Sequence, residues 1–395
     1  MPMHDVKTEG RESVTPPALV VVKVGTSSLT TNDGRLCDAD MERLVSQIAS
    51  AVKNGYRIVL VTSGAVAAGI AELGITPKPN DIVFQQAAAA TGQSVLMAKY
   101  RDLFGRHGLK VAQVLLTAED LSNRASYVHT CNVLEMLLKI GVVPIINEND
   151  VTSIDELLPV TEGCKVNFSD NDVLSALVAN AVRADLLVIL SDVDGVYTIV
   201  PGASGAVLMR TVNRITPELK GSLNGKSHFG RGGIRSKLEA AEIATKSGIP
   251  VVVANSRREN VLLDVLSGID VGTYFKPHAR LRALKRWIAY GASVKGQIYV
   301  NEGAKKAILN GFSLLPVGVI KVVGHFNKGD VVSIVGEDNV EFARGNSNYN
   351  SGYLNLIKGL QIDEIKKRFK IPRPKEVIGR KYIYLVDEAY AGGNL

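Results

Sequence analysis

Between residues 18 and 275 the chain alternates short runs of β-branched apolar residues with longer stretches whose apolar positions recur every three to four residues. The runs are ALVVVKVG, RIVLVTSG, KVAQVLL, GVVPIIN, DLLVILSD and IPVVVAN. Runs without polar alternation predict strands buried on both faces, and helical stretches between them predict parallel pairing. Between the first two runs, Met41, Leu44, Val45, Ile48 and Val52 share one stripe of a helix that Asn54-Gly55 closes. Further helices are predicted over residues 86–104, 124–140, 173–182 and 233–247. The expected fold class is α/β, a three-layer αβα sandwich around a mainly parallel sheet.

After Phe275 the pattern changes. KPHARLRALKRW leads to the short runs GQIYVN, GVIKVVG, GDVVSIVG and KYIYLVD, separated by glycine turns, with helical spacing over residues 302–309 and around 363–369. This spacing predicts a small, mostly β domain. The expected organisation is a disordered leader over 1–17, an α/β domain over 18–275, a basic linker over 276–290 and the small domain over 291–395.

At 395 residues the chain exceeds what one core usually serves, which supports two domains. Its apolar runs are far shorter than the roughly 20 residues a bilayer span needs, so no membrane segment is expected. The first residues are polar and include Asp5, Glu9 and Glu12, unlike a signal or transit peptide, so a cytoplasmic protein is expected. Cys37, Cys131 and Cys164 form no CxxC pair, which argues against disulfides and zinc. The net charge of +7 is uneven: 20 lysines and arginines against 10 acidic residues from Lys276 onward give +10 there and −3 before it. That asymmetry fits a polyanion partner or a solvated basic face.

In parallel sheets ligands sit outside the carboxyl ends of the strands. The exits here carry GTSS, TSGA, NEND, SDVDG and ANS. The first follows Lys23, a lysine inside an apolar run, which calls for an anion close by. Gly25 and the hydroxyls after it can bind phosphate oxygens, although no Walker A pattern occurs. Ser63 stands at the lip of a helix, either as an anion contact or as a simple cap. INEND and, about twenty residues on, SDND concentrate amides and carboxylates that suit a small zwitterion or a divalent cation. In HFGRGGIRSKLEAA, glycines precede Lys237 at a helix start. Two lysines flanking a transferring phosphoryl group, held by a carboxylate, make a coherent mechanism.

With KVGTSSLT, VTSGAVAAG, PIINEND, SDND, SDVDGVY and GRGGIRSK in this order, the chain resembles the amino acid kinase family and, within it, the glutamate 5-kinase branch. Residues 291–395, through GQIYVNEGAKKAILNGFSLLPVGVIKVVGHFNKGDVVSIV and ARGNSNYNS, resemble the PUA domain. The resemblance implies ATP-dependent phosphorylation of the L-glutamate γ-carboxylate, the first step of proline synthesis, with Mg²⁺ as counter-ion. It implies Lys23, Lys237 and Asp172 as catalytic residues and Ser63, Asp150 and Asn171 as glutamate-binding residues. ATP would meet Lys23, Ser191, Asp192, Arg231, Gly232, Gly233, Ile234, Arg235, Ser236 and Lys237; no protein ligand of the metal is named. Departures from the family pattern are Ser169 for the glycine of GDND, Ser191 for threonine, Arg231 and Ile234 in TGGM, and a longer segment between Asp150 and Asp172.

Other acceptors on the same fold are aspartate and N-acetylglutamate. A reading of another class is an RNA-binding accessory protein acting through the basic C-terminal domain. That domain is otherwise an oligomerisation or regulatory module. A homo-oligomer is expected, and the labile acyl phosphate makes γ-glutamyl phosphate reductase a partner to expect.

Overall fold

The computed structural model describes residues 14–16, 18–31, 33–75, 81–152, 171–199, 205–222, 233–278, 285, 287–370 and 375–386. The chain divides into two compact units, Met1–Leu121 with Ala125–Arg280 and Ser122–Arg124 with Leu281–Leu395.

The first unit is built on an eight-stranded sheet. Its strands are β1 (Leu19–Val24), β2 (Arg57–Val61), β3 (Lys110–Leu116), β4 (Val142–Glu148), β5 (Leu186–Ser191), β6 (Thr211–Val212), β7 (Val251–Asn255) and β8 (Thr273–Phe275). They lie in the order β3-β4-β2-β1-β5-β7-β8-β6, parallel except where β8 runs against β7. Six consecutive buried residues make β1 a central strand. Lys23 is flanked there by Val61 of β2 and Ile189 of β5.

The helices are α1 (Asp38–Lys53), α2 (Ala65–Leu73), α3 (Ile82–Arg106), α4 (Ala118–Ser122), α5 (Arg124–Lys139), α6 (Asn171–Val182), α7 (Pro217–Ser222), α8 (Ile234–Lys246) and α9 (Val261–Leu266). In α1 the predicted stripe is the buried one: Met41, Leu44, Val45 and Ile48 join the core, and Val52 packs against it. α3 begins earlier than its apolar periodicity suggests, because Asp81 accepts from the Phe84 N–H at 2.7 Å and caps the helix. α6 likewise begins at Asn171, which puts Asp172 in its first turn, where the positive end of the helix favours a carboxylate.

Two glycines fix α2 against α3. A β-carbon on Gly92 would fall 1.9 Å from the Ala65 carbonyl oxygen, and one on Gly69 1.7 Å from that of Ala88. Neither can be accommodated without moving a helix, so the loop that delivers Ser63 to α2 is set by backbone contact. Gly64 supplies the left-handed turn there, with φ of 101°.

Within the predicted leader, residues 1–13 and 17 lie outside the described residues. The described end of it is tied down, a departure from the disorder expected: the Val14 N–H donates to Leu266, and the Tyr56 hydroxyl donates to the Val14 carbonyl at 2.5 Å.

The second unit contains β9 (Val294–Val300), α10 (Glu302–Leu309), β10 (Val319–Gly324), β11 (Val331–Val335), β12 (Glu341–Asn346), α11 (Ser351–Ile357), α12 (Ile362–Phe369) and β13 (Ile383–Leu385). Its sheet has the order β10-β9-β11-β12-β13, with β9 and β11 parallel and the other pairs antiparallel. Ile298, Val332, Ile334, Phe342, Leu354 and Ile365 fill a core of its own. Within the stretch read as a linker, Trp287–Gly291 forms a π-helical turn in which Trp287, Ile288 and Ala289 are buried. Among the described residues no helix is long and apolar enough to cross a membrane.

Candidate functional site

Three charged side chains from distant parts of the sequence meet at the carboxyl edge of the sheet. Lys23 Nζ lies 2.5 Å from Asp172 Oδ1, and Lys237 Nζ lies 3.1 Å from Asp172 Oδ2. All are buried, at 4% exposure for Lys23, 0% for Asp172 and 6% for Lys237. The lysine that interrupts β1 thus has a protein carboxylate as its partner. Burial pulls the Asp172 carboxyl up, but the adjacent ammonium groups of Lys23 and Lys237 outweigh it and hold the group below its ordinary range. Two buried ammonium groups share this one carboxylate, which holds both at the strand exits, where an anion can meet them.

Ser236 completes the surroundings of Asp172. Its hydroxyl lies 3.0 Å from Asp172 Oδ2 and 2.9 Å from the carbonyl oxygen of Gly233, the residue that precedes α8. Lys237 therefore reaches Asp172 from the first turn of a helix whose start is tied to the same carboxylate. Ile234 is half-buried and Arg235 exposed in that turn. Arg231 and Gly232 lie outside the described residues, as do Ser169 and most of the long segment after Asp150.

Beside this centre runs a chain of polar side chains. Ser63 does not cap α2, whose N-terminus has no side-chain cap. Its hydroxyl instead accepts from Asn171 Nδ2 at 2.9 Å. Asn171 Nδ2 also lies 3.2 Å from Asn147 Oδ1, and Asn147 Nδ2 donates to Gln93 Oε1 at 2.9 Å. Two of the predicted glutamate-binding residues, Ser63 and Asn171, are thus in contact. Asp150 sits half-buried in the turn after β4.

Ser191 and Asp192 stand at the exit of β5, next to β1 in the sheet, with the Ser191 hydroxyl donating to Asp192 Oδ1 at 3.0 Å. The Ser256 N–H donates to the Ser191 carbonyl at 2.7 Å, and the Ser256 hydroxyl lies 2.8 Å from that of Ser28. These bonds tie the exits of β1, β5 and β7 into one polar rim.

Gln93 and Asn147 join the site without a role expected from the sequence. Asn147 belongs to the NEND exit, whose amides and carboxylates the sequence marks only as a cluster. The signal for Gln93 was a lone amide in line with Ala89 and Leu96 on the buried stripe of α3.

Comparison with known proteins places this arrangement among relatives. The amino acid kinase family model matches residues 18–255, and the PUA domain model matches residues 296–369. The glutamate 5-kinase of Moorella thermoacetica is 45% identical over 361 residues, covering 90% of this chain and 93% of that protein. The glutamate 5-kinase of Methanosarcina barkeri is 44% identical over 357 residues, covering 88% and 91%. That of Thermoanaerobacter sp. is 41% identical over 381 residues, covering 95% of this chain and 100% of the relative.

Proposed function

Because the chain belongs to the amino acid kinase family and is matched along most of its length by glutamate 5-kinases, we propose that the Lys23–Asp172–Lys237 cluster is the phosphoryl-transfer centre of a glutamate 5-kinase. The enzyme transfers the γ-phosphoryl group of ATP to the side-chain carboxylate of L-glutamate, the step that opens proline synthesis. The observation that carries the reading is one buried carboxylate holding two ammonium groups at the edge where β1, α6 and α8 meet.

The chemistry needs little else from the protein. A glutamate γ-carboxylate is ionised at neutral pH, so its oxygen attacks phosphorus without a protein base. As the new oxygen–phosphorus bond forms and the bond to ADP breaks, charge spreads over the three equatorial oxygens, and Lys23 and Lys237 neutralise it. Asp172 fixes both ammonium groups before substrate arrives. Ser63 and Asn171, with Asp150, hold glutamate; Ser191, Asp192 and the residues from Arg231 to Lys237 hold the nucleotide. Mg²⁺ bound with the nucleotide would supply further positive charge against its phosphates; the chain's own share of that charge comes from Lys23 and Lys237. Both Asp172 oxygens are already on lysines, so that carboxylate serves the lysines rather than the metal.

The reading extends to a cytoplasmic homo-oligomer whose labile product passes to γ-glutamyl phosphate reductase. The basic second unit serves oligomerisation or regulation, with RNA retention at low salt as the contrary outcome. The test is ATP-dependent hydroxamate formation in the presence of hydroxylamine, comparing L-glutamate, L-aspartate and N-acetyl-L-glutamate. Product with glutamate alone is expected. Product with another acid would move the acceptor, and none with any acid would remove the kinase reading.

A further inference from the structure

The polar chain that ends on Ser63 holds more order than a substrate pocket requires. Gln93 and Asn147 are 8% and 2% exposed, so both amides are withdrawn from water. The chain has two open ends: Asn171 Oδ1 and Gln93 Nε2 are buried with no hydrogen-bond partner among the described residues. Ala89 and Leu96 occupy the same stripe of α3, where an apolar side chain would pack without leaving a donor unsatisfied. A glutamine at that place therefore calls for a use.

Three primary amides in series have a direction. In the sense observed, Asn171 donates to Ser63 and Asn147, and Asn147 donates to Gln93. Turning all three amides over keeps three hydrogen bonds, with Ser63 donating to Asn171, Asn147 to Asn171 and Gln93 to Asn147. The internal bonds are equal in number, so the groups at the ends decide between the two senses. The choice matters at Ser63. In the observed sense its lone pair takes the Asn171 hydrogen, and its own O–H is left to donate, which suits a carboxylate. In the reverse sense the O–H is used on Asn171 and lone pairs remain, which suits an ammonium group.

We propose that Gln93 is a positioning residue: it closes the far end of the amide chain and so holds Asn147 and Asn171 in place beside Ser63, whose hydroxyl is then left a donor to a carboxylate of the bound amino acid. The inference rests on the reading of Ser63 and Asn171 as glutamate-holding residues. Gln93 acts through Asn147 and Asn171.

The test uses steady-state hydroxamate kinetics on the full chain with Gln93→Met, Gln93→Glu, Ser63→Ala and the double variant Ser63→Ala with Gln93→Met. Methionine keeps the volume and the apolar stripe of α3 but removes the acceptor. Its glutamate KM should rise about five- to tenfold, with kcat and the ATP KM within about twofold. An ionised glutamate can only accept, so Gln93→Glu pins the same sense and should keep the glutamate KM within about twofold of the parent. In the Ser63→Ala background, Gln93→Met should add almost nothing, because the group it acts on is gone. Thermal melting checks that each variant is folded, and Gln93→Leu replaces Gln93→Met if the latter melts early.

A raised KM in Ser63→Ala with no change in Gln93→Met overturns the role of Gln93 and leaves the substrate site standing. No change in Ser63→Ala overturns the substrate site and this inference with it. A Gln93→Glu variant impaired as much as Gln93→Met overturns the assigned direction.

Discussion

Each unit of the molecule joins lysine to aspartate, and the two clusters differ in what they do with the charge. In the first, Asp172 is fully buried and pairs with both Lys23 and Lys237. In the second, Lys305 Nζ meets Asp338 at 2.7 Å, with the lysine side chain 11% exposed and the aspartate 46%. Lys305 also lies 5.5 Å from the centre of the Phe342 ring. The second pair reaches water through Asp338, and it ties α10 to the turn between β11 and β12. Stability alone selects an arrangement of that kind. Burying three ionisable groups together is costly and stability alone seldom calls for it, which marks the first cluster as a place where chemistry occurs.

The sharpest way to break this contrast is Lys237→Ala. If the ammonium group acts on the transferring phosphoryl group, kcat should fall about 100- to 1000-fold, with the glutamate KM within about threefold. Initial rates over a glutamate series at saturating ATP read both constants. A raised KM with kcat intact would make Lys237 a binding residue.

Asp172→Asn comes next and tests the shared carboxylate itself. Removing the carboxylate leaves two buried ammonium groups facing each other, which should cost on the order of 3 kcal/mol at pH 7, read by urea unfolding. The pH dependence has a definite sign. Burial raises the Asp172 pKa, but Lys23 and Lys237 outweigh it and hold the group below 3.8 in the folded state. As pH falls, the unfolded chain takes up that proton first. The stabilisation is therefore full above 3.8 and is lost as pH drops through the lower folded value. The melting temperature of Asp172→Asn should accordingly start lower and fall less steeply below about pH 4 than that of the parent.

These residues were legible in the sequence because each breaks a local pattern. Lys23 interrupts an apolar strand, Asp172 crowds a helix start, and Lys237 follows a glycine loop. The central strands were legible for the same reason, since unbroken β-branched runs leave few alternatives. β6 and β8 were not, because two or three residues show no period. The sequence of β12, EFARGN, hid a strand because its polar residues match a turn. Contacts that depend on tertiary placement were also hidden. Ser63 and Asn171 are 108 residues apart, and nothing local says that they touch. Gln93 was hidden because one amide in an alanine-rich helix resembles a surface position until the fold buries it beside Asn147.

The smallest expected effect belongs to Lys305→Met. Methionine keeps the apolar stem beneath Phe342 and places sulfur near the ring, so the packing share of the lysine survives. What is lost is the cation over the Phe342 ring and the pair with Asp338, whose carboxyl is held below its ordinary range chiefly by the hydrogen bond from Lys305. A half-exposed pair of this kind contributes little in water, so the melting temperature should move by less than about 3 °C and kcat should be unchanged. Raising the salt concentration to about 0.5 M should narrow the difference further, because exposed charges are screened over a few ångströms at that strength. A loss as large as that of Asp172→Asn, or one that salt leaves untouched, would mean that the second cluster is as buried in its energetics as the first. The contrast between a rim pair and a buried site would then have to be drawn from the number of lysines on one carboxylate, since the exposure of Asp338 would no longer separate the two.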